Sequence, residues 1–418
     1  MLLGVAVSAC GAVSTAVMHG ATPRTVVATS TPSVVATPGL AEALAAPFST
    51  SPPTSTPVPA PAESCASPSG TQVVAGKTAA GDLVVDSPLA DGDIQVSILN
   101  AHGAVLASTT VPEASEWTVV SGGGGAYWLD GTEACRLEPN GTVSALGSVP
   151  SGVDQVLVSP DGTEYAYATS ESNNADTQTV NSIYLAQIGG SPSLAAQRVW
   201  DSSNPSADAP AGGWMYGLIS WTSQGIVLRR EATGGCGCGA FDMEMLAGYS
   251  ALFDPSTGTT TDLTADDSCP LSGVGPGAVA ACFDESASDP GDGAIEVLDG
   301  GKVSTHFSLS GQSLGADAVF SPDGSTLAYA TLPAADDQCG SDWQSLTTLR
   351  ILGLRSGTEV SGAGAGLQPV AWTATGVLYA TETGNKGAVS VVSVDRASGA
   401  ATPLWAGASG ARLIGVDQ

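Results

Sequence analysis

Three features of the sequence predict an all-β fold in which four-stranded antiparallel blades pack radially into one ring. The first is a strand–turn–strand unit that recurs five times. Ala318–Leu332 (AVFSPDGSTLAYATL) is its fullest copy, and Val156–Thr169 (VLVSPDGTEYAYAT) nearly repeats it. Ser220–Leu228 (SWTSQGIVL), Ala371–Ala380 (AWTATGVLYA) and Trp117–Leu129 (WTVVSGGGGAYWL) are looser versions. The second is a set of seven further hairpin turns, each containing Gly. The third is composition: 53 of 418 residues are Gly, 12% are charged, and almost no long helical pattern appears. Units recurring every 40 to 60 residues or so mark a bladed ring, because a lone blade cannot bury both its faces. The expected fold class is a single β-propeller of seven four-stranded blades, closed by the C-terminal strand.

In chain order, the first eighteen residues (MLLGVAVSACGAVSTAVM) are apolar and uncharged. They read as an export signal or anchor over 1–20, although no Lys or Arg precedes the apolar run. Val7-Ser8-Ala9-Cys10 resembles the lipobox of bacterial lipoproteins, and that resemblance implies lipidation at Cys10. Residues 21–70 are rich in Thr, Ser, Pro and Ala, too poor in large apolar groups to form a core. They read as an extended, semi-rigid tether. Residues 71–418 then form the ring.

Within the repeat unit, Pro322-Asp323-Gly324 is turn chemistry: Pro presets φ, Asp bonds its own backbone, and Gly accepts φ > 0. Leu327–Thr331 follows as a short apolar run suited to a buried strand. The seven further turns are Asn100–Gly103, Glu138–Gly141, Ile188–Gly190, Asp254–Gly258, Asp299–Gly301, Arg355–Gly357 and Asp395–Gly399, one per blade. Blade one has strands near Asp82–Asp86, Ile94–Leu99 and Val105–Thr110, one short. Ala411–Val416 is a strand with no blade of its own, so it completes blade one and removes the free edge. Thr71–Ala75 is the alternative donor. The remaining blades span Trp117–Val149, Asp154–Trp200, Leu218–Leu263, Gly277–Leu309, Ala316–Val360 and Val370–Trp405.

In such blades the first-to-second and third-to-fourth turns share one face, and all other connections share the opposite face. The short Gly turns fall on the first. Ser170–Val180, Ser202–Gly217, Ala232–Gly248, Asp284–Gly293 and Pro333–Ser345 fall on the second. Long irregular loops gathered on one face of a rigid scaffold are where binding usually resides. The candidate binding residues there are Trp214, Tyr216, Phe241, Asp242, Asp336, Asp337 and Trp343. Aromatics beside carboxylates suit stacking and hydrogen bonding to a sugar or a basic peptide. The plainer alternative is that the aromatics only pin long loops to the rim.

A net charge of −28, with 12 Lys plus Arg against 40 Asp plus Glu, repels phosphate backbones and argues against nucleic-acid binding. Export makes disulfides the expected state of Cys65, Cys135, Cys236, Cys238, Cys269, Cys282 and Cys339, with Cys65–Cys135 fastening the end of the tether. Cys236, Cys238, Cys269 and Cys339 are expected on the long-loop face, with Cys282 on a strand of the neighbouring blade. A redox pair at Cys236 and Cys238, or a zinc site, is the rival reading; the spacing fits no zinc pattern and no His is near. Neither metal nor cofactor is expected.

Catalytic signals are weak. The three histidines, His19, His102 and His306, fall in the export segment, a turn and an outer strand. Gly311–Gly315 matches GxSxG but leads into a strand, whereas a hydrolase elbow leads into a helix.

Ser159-Pro160-Asp161-Gly162 with Tyr165–Ala168, and Ser321-Pro322-Asp323-Gly324 with Leu327–Ala330, resemble the TolB-like, WD-type propeller repeat of bacterial envelope proteins. Trp221 and Trp372 keep the aromatic of that repeat, while Pro-Asp is lost beside them. The resemblance implies a propeller of about 350 residues that scaffolds protein contacts. Similar propellers also gate peptidases, but no peptidase domain is expected after the closing strand. The resulting expectation is a monomeric, non-enzymatic, exported and lipid-anchored module of the cell envelope. It would bind an envelope protein or a glycan. The alternatives are an extracellular carbohydrate hydrolase or lyase with carboxylates at the central channel, and a sensor accessory of a membrane signalling protein.

Overall fold

The computed structural model describes residues 65, 72–73, 81–112, 118–153, 156–172, 178–201, 214–232, 249–264, 269, 271–284, 293–309, 314–332, 343–362, 364–384 and 388–416. The chain divides into Met1–Pro59 and Ala60–Gln418, and every described residue belongs to the second unit. The expected export segment 1–20, lipidation at Cys10 and the tether 21–70 apart from Cys65 lie outside the described residues.

Seven antiparallel sheets make up the ring, and no α-helix occurs among the described residues. Blade two runs Val120–Gly122, Gly125–Asp130, Glu133–Leu137, Val143–Ser148, and blade three runs Val156–Val158, Glu164–Ser172, Gln178–Gln187, Ser193–Asp201. Blade four follows with Trp214–Thr222, Gly225–Ala232, Tyr249–Asp254 and Thr259–Thr264. Blade five has Leu271–Val274, Val279–Asp284, Ala294–Asp299 and Lys302–Ser308. Blade six has Leu314–Phe320, Thr326–Leu332, Thr348–Gly353 and Glu359–Ser361; blade seven has Leu367–Trp372, Leu378–Thr383, Ala388–Val394 and Ala401–Ser409.

Blade one is assembled from both ends of the ring. Leu83–Pro88, Ile94–Leu99 and Val105–Val111 are its middle strands. Arg412–Val416 pairs with Leu83–Asp86 as the innermost strand, as the sequence predicts. Gln72–Val73, the alternative donor, also pairs, but on the outer edge against Ala107 and Ser108. The C-terminal strand is thus the one that closes the ring, and Gln72–Val73 adds a fifth strand at the far edge of the same sheet.

Period-two alternation explains the radial packing. Successive strand residues point to opposite faces, and here both faces meet a neighbouring blade. Leu327 and Tyr329 pack toward blade five with Ala281 and Phe283, while Ala328 packs toward blade seven with Trp372 and Leu378. Seven such clusters fill the seven seams, the last joining Leu83 and Leu413 of blade one to Tyr379 and Val391 of blade seven. The innermost strand Arg412–Val416 touches the first strands of blades two and seven, which closes the circle.

The repeat motif has one geometry in both full copies. Ser159 Oγ donates to Asp161 Oδ1 at 2.7 Å and accepts from the Glu164 amide at 2.9 Å. Ser321 repeats this with Asp323 at 2.7 Å and the Thr326 amide at 3.0 Å. In the looser copy of blade seven, Thr373 takes the place of Ser and pairs with Thr375 at 2.9 Å, so the turn survives without its Asp. All seven third-to-fourth turns carry a left-handed Gly: Gly103, Gly141, Gly189, Gly258, Gly300 with Gly301, Gly357 and Gly399.

Several boundaries differ from the sequence expectation, two of them for reasons the structure makes plain. Blade five begins at Leu271–Val274 instead of Gly277, because its first turn is built on Gly275-Pro276-Gly277, unlike the repeat motif. The first strand of blade four begins at Trp214, not Leu218, with Trp214 opposite Ala232 and Tyr216 opposite Arg230.

Candidate functional site

Because every blade is antiparallel and runs outward in order, its first strand starts on the face that carries second-to-third connections and crossings between blades. The tight Gly turns occupy the other face. The described strand ends on either side of the predicted long connections lie on the first face. Blade three extends its strands to Ser172 and from Gln178, which leaves 173–177 between them.

The predicted binding residues are distributed as follows. Trp214 and Tyr216 stand on the first strand of blade four, where a loop was expected, and Trp343 opens the short 3-10 turn Trp343–Leu346 that leads into the third strand of blade six. Phe241, Asp242, Asp336 and Asp337 lie outside the described residues, as do Cys236, Cys238 and Cys339. Of the predicted disulfide residues, Cys65 bonds Cys135 and Cys269 bonds Cys282. The second bridge lies within blade five, tying the approach to its first strand onto its second strand, where Cys282 stands. Cys269, Cys282 and Glu296 offer ligand atoms within 4.8 Å of one another. The bridge consumes both sulfurs, which leaves a single carboxylate and no ligand set at that point.

Three aspartates with marked surroundings come from positions the sequence pattern does not mark. Asp317, on the first strand of blade six, has φ 55° and is the one non-Gly residue with positive φ among those described. A two-residue irregularity between Ala316 and Val319 puts it there. Such a conformation costs an L-residue energy and persists only where its surroundings hold it. They do: Gln368 Nε2 donates to Asp317 Oδ2 at 3.2 Å, the Ala318 amide donates to Ser272 Oγ at 3.0 Å, and Trp372 Nε1 donates to Val319 O at 3.1 Å. The Asp317 carboxylate is half-buried.

Asp86 sits on the second strand of blade one, 2% exposed, and accepts from Arg412 Nε at 3.1 Å and from Arg412 Nη2. Burial raises its pKa, with Arg412 opposing the rise. At the tight second-to-third turn of blade two, Asp130 faces Glu133 across the hairpin. Its pKa is raised, first by burial and then by the Glu133 charge. Of these three carboxylates, Asp86 is buried and held by Arg412, while Asp130 and Asp317 stay partly exposed. The two partly exposed carboxylates can accept hydrogen bonds from sugar hydroxyls or from basic side chains.

No family model matches the chain, and no curated protein matches it in sequence. Among solved structures it is similar to a putative TolB from Agrobacterium tumefaciens at 13% identity and TM-score 0.36, over 68% of this chain and 89% of that one. It is similar to an oligogalacturonate lyase in complex with manganese at 11% identity and TM-score 0.40, over 70% and 83%. An acylaminoacyl peptidase from Pyrococcus horikoshii aligns at 10% identity and TM-score 0.48, over 77% of this chain and half (50%) of the peptidase. The expectation that the chain is not an enzyme is corrected here. The similar structures are mostly enzymes, so this architecture gives no ground for setting catalysis aside.

Proposed function

We propose that the protein is an exported module of the cell envelope, related in kind to TolB-like propellers, that binds an envelope protein or a glycan on its long-loop face. In this reading residues 1–20 direct export, Cys10 carries lipid, and 21–70 hold the ring off the membrane. The observation that carries the proposal is the asymmetry of the two faces. Seven tight Gly turns close one side, while the connections that outgrow a tight turn leave from the other. A ring kept compact on one face and elaborated on the other resembles a scaffold presenting loops to a ligand.

The test is capture from an envelope lysate and on a glycan array, using residues 60–418 so that Cys65–Cys135 is retained. A parallel sample carries Trp214→Ala and Trp343→Ala. Capture by the parent and loss by the double variant, with unchanged circular dichroism, supports the reading. Equal capture by both, or capture by neither, overturns it.

A second reading, a carbohydrate hydrolase or lyase working at the channel, is favoured by Asp317. A carboxylate held at φ 55° on a first strand is the kind of strain that collects at working sites. Turnover of acidic and neutral oligosaccharides by the parent, abolished in Asp317→Asn, tests it.

A further inference from the structure

The Cys65–Cys135 bridge spans 70 residues and lands on the third strand of blade two. Everything between the two cysteines lies inside one covalent loop. That loop contains Gln72–Val73, the three middle strands of blade one, and the first two strands of blade two. It therefore contains Leu83–Asp86, the strand against which Arg412–Val416 closes the ring.

Consider a pull applied from the N-terminal side. With no bridge, the force passes along the chain to Gln72–Val73, which is held to the outer edge by two residue pairs. It then reaches Leu83–Pro88 and peels that strand from Arg412–Val416, where the ring is closed without a covalent link. With the bridge present, force leaves the chain at Cys65, crosses the sulfurs and enters blade two at Cys135. Cys135 is fully buried in the cluster between blades one and two, and its strand is paired on both sides.

We propose that Cys65–Cys135 is a mechanical bypass that keeps tension on the N-terminal segment away from the closing seam of the ring. Reduction of the bridge switches the ring from tension-resistant to tension-sensitive. In that reaction two electrons and two protons pass from a dithiol to the two cysteine sulfurs, and the dithiol closes to its own disulfide. The proposal rests on the reading of residues 21–70 as a tether, but its test does not depend on the ligand.

The experiment is single-molecule pulling on the full chain, with one handle at the N-terminus and one in the exposed turn Arg355–Gly357 of blade six. Bridged protein is compared with Cys65→Ser/Cys135→Ser, and with parent protein folded first and then reduced by dithiothreitol in the pulling chamber. The second comparison stands should the variant fail to fold. The expected result is that loss of the bridge adds an early step at lower force. Its length is about 250 Å, at roughly 3.6 Å per residue over a separation of 70. The proposal is overturned if the unbridged protein first ruptures at the same force as the bridged one. It is equally overturned if the first released length corresponds to another part of the ring. A failed capture experiment on the long-loop face leaves either result intact.

Discussion

Asp86 and Arg412 lie 326 residues apart in sequence and directly opposite each other on neighbouring strands. The carboxylate is 2% exposed, and the guanidinium grips it where the end of the chain meets the start of the ring. Removing one partner of a buried pair leaves an uncompensated charge and costs about 3 kcal/mol, the low end of the usual range because Arg412 keeps contact with solvent. Arg412→Ala should lose that much in urea unfolding. Because burial already raises the Asp86 pKa, its charge opposes folding near neutrality, and the opposition eases as pH falls toward 3.8. Asp86→Asn, alone or with Arg412→Ala, should therefore cost less than Arg412→Ala alone. Equal losses in all three would show that the charge pair is not what matters.

Four turn aspartates respond to acid in the opposite sense. Asp161, Asp254, Asp323 and Asp395 all have lowered pKa values through hydrogen bonds from nearby Ser, Thr and backbone groups. Asp323 falls from 3.8 to about 2, chiefly through Ser321. A lowered folded value means that the stability is present above 3.8 and is lost as pH falls through about 2. Urea unfolding should show stability falling as pH drops between these limits. In Ser321→Ala the transition should begin at higher pH, and an unchanged onset would disprove the assignment.

Gly273 lies on the first strand of blade five, and a Cβ there would stand 1.9 Å from the Ala318 carbonyl oxygen of blade six. Backbone on backbone cannot yield, so Gly273→Ala should separate the two first strands and cost about 3 kcal/mol or more. Gly131, with φ +62° and open space around it, provides the contrast. Gly131→Ala should cost only the left-handed penalty of about 1 kcal/mol. Urea midpoints of the two variants decide the matter.

Two buried tyrosines should respond differently to loss of the hydroxyl. Tyr329 donates to Glu359 Oε2 at 2.6 Å, and Glu359 also meets Arg350 at 3.0 Å. Tyr329→Phe should cost about 1–2 kcal/mol, moderated because Glu359 is partly open to solvent. Tyr165 is 0% exposed, and its hydroxyl has no hydrogen-bond partner among the described residues. Tyr165→Phe should be neutral or stabilising. Thermal unfolding of the pair that reversed this order would count against the hydrogen-bond assignment.

The fold was legible because its repeat is written in turn chemistry. Ser-Pro-Asp-Gly occurs twice with identical spacing to the following strand, and the seven Gly turns mark the third and fourth strands of every blade. Where the turn chemistry changes, legibility fails. Gly275-Pro276-Gly277 hid the four-residue strand before it, whose own Gly273 looks like loop but is required by the close approach of Ala318. Trp214–Gly217 looked like loop because glycines flank it, yet cross-strand pairing with Gly225–Ala232 extends the strand. Asp317 gave no signal, since no local rule predicts an Asp at positive φ within a strand. The Asp86–Arg412 pair exists only once the two ends of the ring meet, so no window of sequence contains it.

The two-ended construction of blade one has a kinetic consequence. Leu83 pairs with Val416, so the innermost strand of the first blade is the last to be made. A ribosome delivering the chain in order must release every other blade before this edge can be covered. Until then the inner edge of Leu83–Pro88 is bare, and bare edges invite pairing with other chains. Contacts of such long range make closure the slow step of refolding. The Cys65–Cys135 loop is complete long before that moment, so blade one can be held against blade two while it waits for its last strand.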